Sequence, residues 1–216
     1  MEGATRAPTI VTTGLSVVPI TGLFAAFALG AIPFGVIWSL VIAGVDPRTA
    51  GSKNIGFTNV LRVSSRWAAV LTLVSDVAKG AAAVWLVRYL VGARHPGWEF
   101  SAALAAVAGH MYTPILRFKG GKGVATAIGA IAMALPWAAI IIMVTWGIVL
   151  AASSYVSLAS IMASLTLPLT MLLFTSNWVA LVCGGAMAVL VIFRHAENIR
   201  RLREGVEHSI KFRGRS

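Results

Sequence analysis

Seven long apolar segments, separated by polar or turn-forming stretches, dominate this 216-residue sequence. Apolar runs of about 17–25 residues are typical of helices that cross a bilayer, and shorter ones occur where neighbouring helices bury them. Hydrophobic residues make up 58% of the chain and charged residues 12%, whereas soluble domains are roughly half apolar and roughly a quarter charged. We therefore expect an all-α integral membrane protein. The predicted spans are 17–43, 67–91, 100–112, 124–135, 137–152, 155–174 and 178–193.

The number of spans depends on Pro136, which divides a 29-residue apolar stretch that is long for one helix. A kink there would give six spans, and a turn would give seven. Fourteen of the 18 Lys and Arg residues lie in 44–66, 117–122 and 194–216. Lys and Arg residues gather in cytoplasmic loops. All three stretches lie on the same side of the membrane if there are seven spans, but not if there are six. We therefore predict a seven-transmembrane-helix bundle, with the N-terminus outside and the C-terminus cytoplasmic.

Domain organisation follows from this topology. We expect an extracytoplasmic segment at 1–16, the transmembrane bundle with cytoplasmic motif loops at 17–193, and a basic cytoplasmic tail at 194–216. The first apolar segment extends beyond a typical signal-peptide core without a clear cleavage site, which favours a retained span. Cytoplasmic loops facing anionic lipid account for most of the net charge of +11, so no nucleic-acid partner is expected.

A polar stretch at 50–62 combines two hydroxyls, two amides and two cations. Hydroxyl and amide groups can hydrogen-bond phosphate oxygens or a polyol, and an arginine can bind a phosphate with two donors. An ordinary polar loop with capping residues would explain the same composition. The candidate binding residues here are Ser52, Asn54, Thr58 and Arg62.

A second stretch, 109–126, contains three cations and three glycines between Arg117 and Gly123. Glycine-rich backbone before a helix start can offer N–H groups to a phosphate. The Walker A pattern is absent, because Leu116 stands where its first glycine would be and Gly123 follows Lys122. Lysine contacts with lipid headgroups are the alternative, but such contacts do not need glycines. The candidates are Lys119, Gly120, Gly121, Lys122 and Gly123.

A third stretch, 193–207, begins the basic tail. If it is helical, His195 and Asn198 share a face and could hold a hydroxyl, with the histidine as base or orienting group. Contacts with anionic lipid are the expected role of Arg200, Arg201 and Arg203.

Charged residues inside the predicted spans have a structural interpretation first. Asp76 and Lys79 are three residues apart and are expected to form a buried pair, with a proton relay as the functional alternative. His110, near the start of the stretch 109–126, is positioned to cap or contact the rest of that stretch. With one cysteine and no Cys/His metal spacing, we expect neither a metal nor a cofactor.

Together these stretches resemble the PlsY family of bacterial membrane acyl-phosphate:glycerol-3-phosphate acyltransferases. The resemblance is carried by GSKNIGFTNVLR at 51–62, FKGGKGVAT at 118–126 and RHAENI at 194–199, with Gly205 and Glu207 and with DVAKG at 76–80. Two positions depart from the family pattern. Lys53 stands where the family usually has glycine, and Phe57 stands where it usually has a small residue.

The resemblance implies a first step of phospholipid synthesis in the bacterial inner membrane. A fatty acyl group would move from acyl phosphate to the sn-1 hydroxyl of glycerol 3-phosphate, giving lysophosphatidic acid and phosphate. The fold would be a seven-helix bundle, with membrane lipid around it and a cytoplasmic active site, and we expect a monomer. The functional set implied at matching positions is Ser52, Arg62, Lys122 with the glycines of its stretch, His195 and Asn198.

Because acyl phosphate is already activated, direct attack by the glycerol hydroxyl is expected, with most acceleration from positioning and charge stabilisation. Ser52 is favoured as a substrate-orienting donor over a nucleophile, because no triad order or nucleophile elbow surrounds it. Arg62, Lys119 and Lys122 are the expected phosphate cations, and Lys53 either adds a phosphate contact or points to solvent. The base is either His195 or a substrate phosphate. An anion transporter and a lipid-binding scaffold are the rival function classes.

Overall fold

The computed structural model describes residues 17–210, and their secondary structure consists of helices joined by short loops. The predicted N-terminal segment 1–16 and residues 211–216 of the tail lie outside the described residues. The helices are α1 (Val17–Ala31), α2 (Phe34–Ala43), α3 (Phe57–Val63), α4 (Arg66–Val91), α5 (Pro96–Met111), α6 (Val124–Ala134), α7 (Pro136–Ser153), α8 (Val156–Phe174), α9 (Trp178–Arg194) and α10 (Ala196–Arg203), with a short 3-10 turn at Pro114–Leu116.

The observed helices follow the predicted segments, with three differences. The first segment is two helices, since Pro33 has no N–H to continue α1. At the break, the carbonyls of Ala31 and Ile32 accept hydrogen bonds from the side chains of Thr113 and Lys79. The third begins at Pro96 and not at 100, because proline is tolerated in a first helical turn and the His95 ring caps it. The polar loop 44–66 contains the short helix α3, which the sequence analysis missed.

Within residues 17–210, four helical stretches are long and apolar enough to cross a membrane: Pro19–Ala43, α4, α7 and α8. A fifth is possible if α9 and α10, bent by 54°, form one broken span. Helix α6 is apolar but has only 11 residues, and α5 has 16. An all-helical integral membrane fold is therefore observed, while the count of seven spans and the orientation of the termini stay predictions.

Glycines allow four of the helices to pack backbone against backbone in pairs. A Cβ atom added at Gly80 of α4 or Gly129 of α6 would lie within 2.0 Å of a carbonyl oxygen of the other helix. The same relationship joins α1 and α5, through Gly30 and Gly109. Small residues at such contacts are the usual means of close helix association in membranes. The contacts hold α4 against α6 and α1 against α5, and the glycine stretch, residues 117–123, lies in the connection from α5 to α6.

A partly buried ion pair fixes the end of α6 that is remote from the glycine stretch. The Arg88 guanidinium donates to the carboxylate of buried Glu99 at 2.7 Å and to the backbone oxygen of Met133, also at 2.7 Å. The guanidinium of Arg94 donates to the backbone oxygen of Ala134 at 2.9 Å. Helix ends leave carbonyl groups without intrahelical partners, and here arginines satisfy two of them. As a result α6 is held at its C-terminal end, and its N-terminal end is the one that follows the glycine stretch.

Candidate active site

The three polar stretches converge on one cavity of about 400 Å³, between the loop 51–62, the start of α6, and the junction of α9 with α10. Polar groups from all three stretches line it together with apolar side chains, which come from α3, α4, α6, α7 and α8. The polar lining residues are Ser52, Asn54, Thr58, Asn59, Arg62, Asp76, His110, Lys122, Ser157, Ser160, His195, Asn198, Arg201, Glu207 and His208.

Asn59, a residue of α3, holds the preceding part of the first polar stretch in place; we call the loop 51–62 the first loop. Its side-chain oxygen accepts a hydrogen bond from the backbone N–H of Ser52 at 2.8 Å, and its side-chain nitrogen donates to the backbone oxygens of Pro47 and Asn54, both at 2.8 Å. The residue is only 2% exposed. Since one buried amide satisfies several backbone groups, the loop can present Ser52 and Asn54 to the cavity without depending on solvent.

The glycine stretch is fastened to the end of α5. The backbone N–H groups of Gly120 and Gly121 donate to the carbonyls of Met111 and His110, each at 3.1 Å. Both glycines are buried and neither lines the cavity. The expectation that these two N–H groups are free for a phosphate is therefore wrong, because α5 already uses them.

Free N–H groups begin two residues after Gly121, where α6 starts. Gly123, Val124 and Ala125 line the cavity, and no acceptor for their N–H groups is found among the described residues. Gly123 has φ +78, a left-handed conformation that glycine adopts without strain. A helix N-terminus with unpaired N–H groups attracts anions, and Lys122 directly precedes it. The anion-binding features predicted for the stretch are thus concentrated at Lys122 and the first turn of α6.

Lys122 begins a hydrogen-bond chain into the third stretch. Its ammonium group donates to the side-chain oxygen of Asn198, whose amide nitrogen donates to Glu207 at 2.6 Å. Glu207 also accepts from the Ser157 hydroxyl at 2.8 Å and from the Arg201 guanidinium at 2.7 Å. Burial lowers the pKa of Lys122 to about 8, with nearby arginines adding to the effect and Glu207 opposing it.

His195 lies at the bend that follows the last residue of α9. Its Nδ1 is 2.7 Å from the backbone oxygen of Val191, and a carbonyl can only accept, so Nδ1 carries the hydrogen. Nε2 is therefore the ring nitrogen with a free lone pair. Burial, reinforced by the charge of Lys122, lowers the pKa of His195 to about 4. The ring is consequently neutral at physiological pH and can accept a hydrogen bond.

Arg194 ties α9 to the glycine stretch. Its guanidinium donates to the backbone oxygen of Gly120 at 2.7 Å and to that of Gly121 at 3.1 Å, and it lies 5.7 Å from the centre of the Tyr112 ring. A planar guanidinium with several fixed donors suits such a two-carbonyl contact. The second and third stretches are therefore joined outside the cavity lining as well as through Lys122 and Asn198.

The apolar part of the cavity is formed by Ile128 of α6, Met143 and Trp146 of α7, and Val156 of α8, among others. A smaller apolar cavity of about 30 Å³ adjoins it and shares Ile128 and Trp146. The indole nitrogen of Trp146 donates to the Ser160 hydroxyl at 3.2 Å, which satisfies its polar edge. One cavity thus offers cationic and N–H groups at one end and hydrocarbon-like surroundings at the other.

Residues 20–205 match the protein-family model described as glycerol-3-phosphate acyltransferase. The chain belongs to the glycerol-3-phosphate acyltransferase family. The resemblance seen in the sequence is thereby confirmed, and the matched range includes all three polar stretches apart from Val206 and Glu207.

Relatives and solved structures agree with this family. The chain is 43% identical to the glycerol-3-phosphate acyltransferase of Bordetella pertussis, over 94% of this chain and 97% of that protein, and 41% identical to that of Geotalea daltonii, over 88% and 96%. A crystal structure of PlsY, an integral membrane glycerol 3-phosphate acyltransferase, in its glycerol 3-phosphate form is similar with a TM-score of 0.84 and 35% identity, covering 89% of this chain and 96% of that one. Its lysophosphatidic acid form gives 0.82 and 34%, over 89% and 95%.

Most of the predicted site residues line the cavity described above. Ser52, Asn54, Thr58, Arg62, Lys122, Gly123, His195 and Asn198 all line it. Lys119 and Lys53 do not, and both are exposed. Of the three cations expected to face phosphate, Arg62 and Lys122 therefore reach the cavity and Lys119 does not, and of the two alternatives for Lys53 the structure favours the solvent-facing one.

Arg201 was assigned to anionic lipid, and that assignment is wrong. Its side chain is 18% exposed, lines the cavity and pairs with Glu207, because it projects from α10 toward α8. Arg200, on the exposed side, pairs with Glu197 at 2.7 Å. The sequence analysis also missed Asn59 and Ser157 as site residues. Ser157 lies in an apolar segment that gave no signal, whereas Asn59 stood within the first stretch among other polar residues.

Proposed function

We propose that this protein transfers a fatty acyl group from acyl phosphate to the sn-1 hydroxyl of glycerol 3-phosphate. The products are lysophosphatidic acid and phosphate, and the reaction is the first step of phospholipid synthesis. The observation that carries the proposal is the two-sided cavity. Cations and free N–H groups occupy its polar end, and an apolar wall that suits a fatty chain begins within the same cavity. Related proteins are named glycerol-3-phosphate acyltransferases, and PlsY was crystallised with glycerol 3-phosphate and with lysophosphatidic acid.

Both substrates carry a phosphate group, and the polar end provides distinct donors for two anions. Lys122 and the first turn of α6 form one set of donors, and Arg62 with Ser52, Asn54 and Thr58 on the first loop forms another. Preorganised donors of this kind stabilise charge in the transition state, because they do not need to reorganise as it develops. The acyl chain lies along Ile128, Met143 and Trp146.

The chemical step balances without a covalent enzyme intermediate. The sn-1 oxygen attacks the acyl carbonyl carbon, the new ester C–O bond forms, and the C–O bond to phosphate breaks. The hydroxyl proton ends on the departing phosphate. His195 orients the attacking hydroxyl by accepting its hydrogen bond at Nε2, and with a pKa of about 4 it is a weaker base than a phosphate oxygen. Asn198 and Ser52 act with it as positioning donors and acceptors.

The membrane arrangement belongs to the same proposal. The chain is a monomer in the bacterial inner membrane with seven spans, the N-terminal segment 1–16 outside, and the tail from Arg194 inside. All three polar stretches then face the cytoplasm, where glycerol 3-phosphate is available. The uneven distribution of Lys and Arg supports this orientation.

The test is to supply the purified protein with long-chain acyl phosphate and glycerol 3-phosphate and to measure lysophosphatidic acid and phosphate. We expect equal amounts of both products, and no product with acyl coenzyme A as donor. Lys122→Met should lose at least about 100-fold in kcat/KM, whereas the exposed Lys119→Met should stay within about threefold of the wild type. No lysophosphatidic acid from wild-type protein, under conditions in which a family member is active, would overturn the proposal.

A further inference from the structure

A cluster of buried charged and polar groups contacts the glycine stretch, and the proposed reaction does not use it. Asp76 and Lys79 project from α4, and His110 projects from α5. Their side chains are 3%, 3% and 4% exposed. Buried charges are costly in a membrane protein, so such a cluster needs a specific role.

Lys79 connects three parts of the fold. Its ammonium nitrogen lies 2.7 Å from the Asp76 carboxylate, 2.8 Å from the backbone oxygen of Ile32, and 2.8 Å from Nδ1 of His110. Ile32 lies at the break between α1 and α2, and its carbonyl also accepts the backbone N–H of Phe34 at 3.1 Å. An ammonium group can donate three hydrogen bonds, so it can serve the carbonyl and the imidazole together while its charge is compensated by Asp76.

His110 in turn contacts the glycine stretch through both its backbone and its ring. Its carbonyl accepts the N–H of Gly121 at 3.1 Å. A Cβ atom added at Gly121 would lie 2.1 Å from Nε2 of the ring, so the imidazole occupies the space that a side chain at 121 would need. The neighbouring Gly120 is different, because a Cβ atom there would lie 2.0 Å from the His110 backbone oxygen.

We propose that His110 is a positioning residue for the substrate phosphate, and that Lys79 holds its ring in place. The imidazole limits how closely the Gly121 backbone approaches α5. This distance fixes the position of Lys122 and of the first turn of α6 relative to the cavity. The kinetic part of this inference rests on the proposed function, whereas the contact between the ring and Gly121 does not.

The contact predicts a selective rescue. Gly121→Ala places a methyl group against the imidazole, and His110→Ala removes the imidazole. We expect Gly121→Ala to lower kcat/KM for glycerol 3-phosphate about 100-fold in the wild-type background but less than about threefold in the His110→Ala background. Gly120→Ala is the matched control, since its clash is with backbone. It should cost the same in both backgrounds. Equal penalties for Gly121→Ala in the two backgrounds would overturn the proposal.

A second comparison separates positioning from general stability. His110→Ala is expected to raise the KM for glycerol 3-phosphate about tenfold with a smaller change in kcat. Met171→Ala, which truncates a fully buried side chain of α8 outside the cavity, should lower the melting temperature and leave this KM unchanged. If both variants raise the KM equally, or neither does, His110 is not a positioning residue.

The melting temperatures of the same variants provide a readout that needs no activity. His110→Ala should remove most of the destabilisation caused by Gly121→Ala and none of that caused by Gly120→Ala. If the wild-type protein makes no lysophosphatidic acid, the proposed function fails while this selective rescue still tests the contact. If the enzyme is active and the rescue is absent, the inference fails and the proposed function stands.

Discussion

The ammonium group of Lys122 donates a hydrogen bond to the side-chain oxygen of Asn198, which joins the start of α6 to α10 across the cavity. The amide nitrogen of Asn198 donates to Glu207, so the amide can only present its oxygen to the lysine. Lys122 is therefore oriented by the third stretch, although it belongs to the second. The relationship explains how two motifs that are 76 residues apart act as one anion site.

The lowered pKa of Lys122 predicts a loss of activity in mildly alkaline solution. A lysine is cationic below its pKa, so a value of about 8 means that its charge is lost as pH rises through about 8. We expect kcat/KM for glycerol 3-phosphate to fall up to about tenfold per pH unit above this value, because kcat/KM reports the free enzyme. The substrate phosphate is already dianionic there and does not contribute.

A pH–rate profile with Lys122→Arg as the control checks this prediction. The arginine variant should be less active, but its profile should stay flat between pH 8 and about 10, because a guanidinium does not titrate there. A wild-type profile that is equally flat would assign the binding charge to another group.

His195 is expected to orient the hydroxyl without setting the pH dependence of the reaction. Its Nε2 is a free acceptor and its pKa is lowered to about 4, so the phosphate takes the proton. His195→Gln, which keeps an acceptor, should retain at least about tenfold more kcat than His195→Ala. Both variants should keep the wild-type shape of the profile between pH 5.5 and about 8. If the acidic limb of the kcat profile disappeared in either variant, His195 would be the base.

Arg194 is expected to contribute to both stability and activity by binding two carbonyls of the glycine stretch. Arg194→Met removes donors to Gly120 and Gly121 and leaves partly buried carbonyls without partners, at a cost of about 2–3 kcal/mol. We expect a lower melting temperature and a raised KM for glycerol 3-phosphate. Arg203→Met, on an exposed part of the same tail, is the control and should change neither. Equal behaviour of the two variants would show that the contact is not important.

The helical architecture could be predicted closely from the sequence, because long apolar segments between polar loops leave few alternatives in a membrane. The predicted span 178–193 and the observed Trp178–Arg194 differ by one residue. The short helix α3 could not be predicted in the same way. It has seven residues, and it is positioned by the buried amide of Asn59 and by tertiary contacts of Val60, not by an apolar period of its own.

The site could be predicted as a set of stretches, but not at the level of individual glycines. Glycine is used where backbone must face a ligand and also where backbone must pack against backbone, and sequence does not separate these uses. Gly123 belongs to the first case and Gly120 to the second. Lys119 and Lys122 differ for a similar reason. They carry the same charge, yet only the fold decides which of them lies at the start of α6.

Lys53 is expected to strain the first loop. Its φ is +56, a left-handed conformation that costs a residue with a Cβ atom about 1–2 kcal/mol. Lys53→Gly should therefore melt at a higher temperature than Lys53→Ala, by the equivalent of about 1 kcal/mol. Because the side chain is exposed and lies outside the cavity, kcat/KM should stay within about twofold of the wild type in both variants. A glycine variant that melts below the alanine variant would contradict this explanation.

The apolar end of the cavity predicts a change in acyl-chain preference. Ile128 on α6 lines both the main cavity and the small apolar cavity beside it, so Ile128→Trp should narrow the space available to the fatty chain. Each methylene group of the fatty chain that can no longer be buried weakens the binding free energy by about 1 kcal/mol. We expect kcat/KM for a long-chain acyl phosphate to fall about tenfold or more relative to a short-chain one, with the KM for glycerol 3-phosphate unchanged. Ile140→Trp, at a half-exposed position of α7 outside both cavities, should leave the preference as it is. If Ile128→Trp slows all chain lengths equally, the acyl chain does not lie along α6.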